Sequence, residues 1–96
     1  MPQPDQHAIA AFIAIREAQA ACAAPDAGDA EGEALMRAYA QGRALARSTP
    51  EAAFVKTMVI LCEGAVAYPE AESGLDFDGA YLGMFPLMPA ALRAAL

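Results

Sequence analysis

The chain has 96 residues, 12 acidic against 6 basic, for a formal net charge of −6. That length points to a single domain, residues 1–96. The longest strongly apolar run is Met58 to Cys62, far short of the roughly 18 residues that would cross a bilayer. So acidic a chain, with one Lys, is also a poor direct ligand for nucleic-acid phosphates.

The amino terminus, MPQPDQHAIA, has no Lys or Arg ahead of its apolar residues. It therefore lacks the charged start of a secretory signal, and a cytoplasmic location is expected. Hydrophobic residues make up 57% of the chain, but 26 of them are alanine. Alanine favours helix and buries little surface, so closely approaching helices over a thin core are expected.

In chain order, Pro2 and Pro4 hold the start extended and Asp5 is suited to cap a first helix from Gln6 to Ala24, stopped by Pro25. Ile9, Phe12 and Ile13 form its apolar stripe, which Ile15 widens, and Arg16 and Glu17 take the remaining surface. The loop PDAGDAEG leads to a second helix, Ala30 to Arg47, with Asp29 as its cap. Leu35, Ala38, Tyr39, Gly42, Leu45 and Ala46 recur at helical spacing, and the small residues at 38, 42 and 46 admit a close neighbour. Glu33 stands four before Arg37, the favoured order for a helical ion pair.

Ser48-Thr49-Pro50-Glu51 is the strongest local signal. Either Thr49 caps with Pro50 at the first helical position, or Ser48 caps with Glu51 closing a capping box. The third helix then runs to about Tyr68, before Pro69, with Phe54, Val55, Met58, Val59, Leu61, Cys62, Ala65 and Val66 on a broad face and Ile60 opposite. A helix this apolar is expected to be central, or buried in an oligomer. Residues 69–85 form an irregular acidic segment, and LMPAALRAAL a short terminal helix with Leu92 and Leu96 aligned. The expectation is an all-α fold: a small bundle of three main helices, an irregular acidic loop and a short C-terminal helix.

Catalytic groups are scarce, and no enzyme is expected. His7 is the single imidazole and falls in the first helical turn, where the helix dipole disfavours a second positive charge. Cys22 and Cys62 lack CxxC spacing and an adjacent base. They read as two buried thiols, although an up-down-up bundle would bring them to one end, where oxidation could join them. Asp76-Phe77-Asp78-Gly79 lacks the spacing and closing Glu of a calcium loop, and one His with two distant Cys does not make a zinc site. No cofactor and no metal are expected.

Charge layout carries the functional content. No base occurs between Lys56 and Arg93, a span that holds Glu63, Glu70, Glu72, Asp76 and Asp78. Phe77, Tyr81, Met84 and Phe85 stand among or just after these acids, and aromatic and Met side chains suit adaptable contact surfaces. Solubility alone would account for the acids. The sharper reading is an interaction module that binds a partner protein through Glu70, Glu72, Asp76, Phe77, Asp78, Tyr81, Met84 and Phe85, the acids steering it onto a basic surface. A nucleic-acid-binding protein would offer such a surface, and the chain would then act as an inhibitor imitating phosphate. A self-assembling helical subunit, in the simplest case a homodimer, is a further alternative. No motif identifies a family. In size, acidity and shortage of catalytic groups the chain is similar, at the level of class, to phage-encoded inhibitors such as anti-CRISPR or anti-restriction proteins.

Overall fold

Each of the three long helices starts where a local group can satisfy its free amide protons. In the computed structural model, which describes residues 3–67 and 88–95, α1 spans Gln6–Cys22, α2 Asp29–Ala44, α3 Pro50–Ala67 and α4 Ala90–Arg93. Among the described residues the fold is all-α, three main helices and a short C-terminal one. The expected acidic loop, Pro69 to Phe85, lies outside the described residues.

Asp5 caps α1 as expected, its Oδ1 accepting from the Ala8 N–H at 3.1 Å. The helix stops at Cys22 rather than Ala24. The Ala23 N–H bonds the carbonyls of both Gln19 and Ala20, tightening the last turn ahead of Pro25, whose ring disfavours helical backbone at the residue before it.

The cap of α2 is Gly28, not Asp29, which is instead the first helical residue. The Glu31 carboxylate reaches back to accept from the Gly28 N–H at 2.8 Å, the charged half of a capping box that the glycine cannot reciprocate. α2 also ends at Ala44 instead of Arg47. There the Lys56 ammonium donates to the carbonyls of Arg43 and Leu45, so a side chain of α3 closes the end of α2. Leu45 turns extended and packs, half-buried, on the core, whereas Ala46, expected on the same stripe, is exposed.

At α3, Thr49 is the cap: its Oγ1 accepts from the Ala52 N–H at 3.1 Å, and Pro50 opens the helix. α4 is shorter than its sequence suggested, and Leu96 lies outside the described residues.

Two pairs of contacts fix the helix directions. Asp5 meets Thr49 at the starts of α1 and α3, while Gln19 meets Cys62 toward their ends, so these two helices run parallel. Cys22 at the end of α1 bonds the carbonyl of Glu31 in the first turn of α2, which therefore runs back along α1. The core between them holds Phe12, Ile15, Tyr39, Val55, Met58, Val59, Cys62 and, from α4, Leu92. α3 supplies much of it, and Ile60 points outward at 59% exposure, as its register requires.

Gly42 shows how near the helices come. A Cβ there would lie 2.8 Å from Val59 Cγ2, 3.2 Å from Ile15 Cδ1 and 3.3 Å from Val55 Cγ1. Branched side chains at 55 and 59 are stiff about χ1 and cannot turn aside at low cost. This glycine, the middle one of the three small residues read from the sequence, is where α2 meets α1 and α3 together.

Candidate functional site

All eight residues expected to bind a partner, Glu70, Glu72, Asp76, Phe77, Asp78, Tyr81, Met84 and Phe85, lie outside the described residues. Their flanks are described. On one side is α3, whose Cys62 is fully buried; on the other Met88 and Leu92, 4% and 0% exposed, sit in the same hydrophobic cluster. The described flanks on both sides thus contribute to one core. Residues 68–87 contain four acids and no base, a charge of −4, leaving eight acids against six bases, −2, for the rest of the chain.

Among the described residues, the chemically distinctive place is a polar junction in the core. Gln19 is only 7% exposed. Its Nε2 donates to Tyr39 Oη at 3.2 Å and to Cys62 Sγ at 3.6 Å, while its Oε1 accepts from Arg16 Nη1 at 3.0 Å. One amide thus ties all three long helices and uses both its ends.

Burial raises the Tyr39 phenol far above its ordinary range, outweighing the bond from Gln19, and burial likewise raises the Cys62 thiol. Both groups are neutral at physiological pH, and neither is prepared as a nucleophile. No described buried side-chain nitrogen or oxygen lacks a hydrogen-bond partner. The junction holds the helices in register and leaves no group directed at a ligand.

Both cysteines are free. Cys62 is buried as expected, but Cys22 is only half-buried and turns to α2, donating to the Glu31 carbonyl at 3.3 Å. His7 is exposed in the first turn of α1. It lines an open cleft of about 440 Å³ with Asp5, Gln41, Ala44, Leu45, Ala46 and Ser48. That cleft brings an Asp, a His and a Ser together, yet the Asp5 carboxylate is committed elsewhere: Oδ1 to the Ala8 amide and Oδ2 to the Thr49 hydroxyl at 2.6 Å. The Thr49 bond, with the Ala8 amide second, holds Asp5 below its ordinary carboxyl range. The cleft lacks the relay of hydrogen bonds that nucleophilic catalysis requires.

No cluster of three or more potential metal ligands occurs among the described residues. Nor is any described helix long and apolar enough to cross a membrane. The ion pair among the described residues joins Arg43 to Glu63, on α2 and α3, in place of the expected Glu33–Arg37 pair within α2. Among the described residues three large apolar side chains are exposed, Ile13 at 38%, Met36 at 46% and Ile60 at 59%. Compared with known protein families, curated proteins and solved structures, the chain matches none.

Proposed function

We propose that this chain is a non-catalytic interaction module that binds a partner protein through residues 70–85. The observation that carries the reading is the distribution of charge. Two thirds of the net charge falls in residues 68–87, which contain no base, while the rest of the chain is nearly balanced. The acids Glu70, Glu72, Asp76 and Asp78 would steer it onto a basic surface, and Phe77, Tyr81, Met84 and Phe85 would supply buried contact area.

The test compares wild type with the Asp76→Asn/Asp78→Asn double variant against partners captured from extracts of the native host. Affinity should fall about tenfold and become less sensitive to salt; an unchanged affinity overturns the assignment. A second reading, inhibition of a nucleic-acid-binding protein by imitation of phosphate, is favoured by the base-free run of five acids from Glu63 to Asp78. It requires that DNA or RNA compete for the captured partner.

A further inference from the structure

A shallow groove of about 380 Å³ runs between α1 and α2. Ala14 and Ala18 form one wall and Ala34 and Ala38 the other, each pair four residues apart, with Glu17 on the α1 side and Arg37 on the α2 side. Glu17 and Arg37 are both exposed, and neither has an ion-pair partner among the described residues. Ile13, 38% exposed, precedes Glu17 by one turn.

We propose that this groove is the contact face for a second copy of the chain, forming a two-fold dimer in which Glu17 of each copy pairs with Arg37 of the other. The charges choose both the occupant and the symmetry. In an isologous contact the two-fold axis lies in the plane of the interface. An axis running along the groove exchanges its walls, so an acid on one wall and a base on the other meet their opposites twice. An axis running across the groove would oppose Glu17 with Glu17 and Arg37 with Arg37. The alanines let the two helix pairs approach closely, as small residues do at tight helix contacts.

Helices of 17 and 16 residues are about 25 Å long. At roughly 10 Å separation they offer a face of about 500 Å² per copy. Some 1,000 Å² in total is roughly the lower limit for a specific interface, so the dimer is reversible. This inference does not rest on the acidic segment and is tested without any partner.

Sedimentation equilibrium on the full chain should show a monomer–dimer equilibrium that weakens as salt rises. Glu17→Arg and Arg37→Glu should each raise the dissociation constant by about tenfold or more, because each sets like charges face to face. The double variant Glu17→Arg/Arg37→Glu should restore association, since the pairs re-form with reversed sign. Both positions are solvent-exposed, and circular dichroism checks that each variant keeps its helices. A wild-type monomer up to about 1 mM, single reversals without effect, or a double variant no better than the singles would each overturn the proposal.

Discussion

The two ends of the α1–α3 pair are tied by hydrogen bonds of different kinds. At the start of the helices, the Asp5 carboxylate and the Thr49 hydroxyl meet at 2.6 Å while each also caps its own helix, and both residues are half-buried. At the other end, Gln19 bonds Tyr39 and Cys62, both wholly buried. The first tie is charged and open to water; the second is neutral and dry. Water can replace a lost partner at the first end and cannot at the second, so bonds of comparable length carry unequal consequences.

The largest expected effect is at the dry end. Gln19→Ala removes the donor to Tyr39 and Cys62, the acceptor for Arg16, and most of a packed side chain. It should cost about 2–3 kcal/mol in denaturant unfolding at pH 7. A cost under that of the wet-end variant would reverse the comparison.

Asp5→Ala should cost about 1 kcal/mol at pH 7, the ordinary loss on deleting a cap that water can in part replace. This cost is also pH-dependent. Because folding holds Asp5 below its ordinary carboxyl pKa of 3.8, the carboxylate's contribution is complete above that value. It is lost as pH falls through the folded value. Melting curves of wild type and Asp5→Ala should therefore lie apart at neutral pH and converge in strong acid. The Gln19 gap, which involves no carboxylate, should remain.

The smallest effect concerns reactivity rather than stability. In the folded protein a thiol alkylating reagent should label half-buried Cys22 and leave Cys62 untouched until denaturant is added, as peptide mass spectrometry would show. Equal labelling of both would mean that the dry end opens locally.

The local features of the bundle were legible in the chain. Pro25, Pro50, Asp5 and Thr49 act within a turn of where they stand, so helix existence and most starts follow from neighbouring residues. The ends were less legible. α2 stops at Ala44 because Lys56, on another helix, takes its last carbonyls. Gln19 gave no signal at all: a glutamine mid-helix looks like surface until Tyr39 and Cys62 are brought to it. Of the candidate site, the charge imbalance is wholly a sequence property, while the Glu17–Arg37 groove exists only because α2 folds back along α1.

By itself the sequence determined the described helices and their approximate spans, and the gathering of negative charge in one base-free stretch, because caps, prolines and composition act locally. Only the tertiary structure decided which polar groups are dry, where Gly42 lets three helices touch, and which acid faces which base across a groove. Those depend on pairs separated by 13 to 44 residues, and no local preference encodes a contact at that distance.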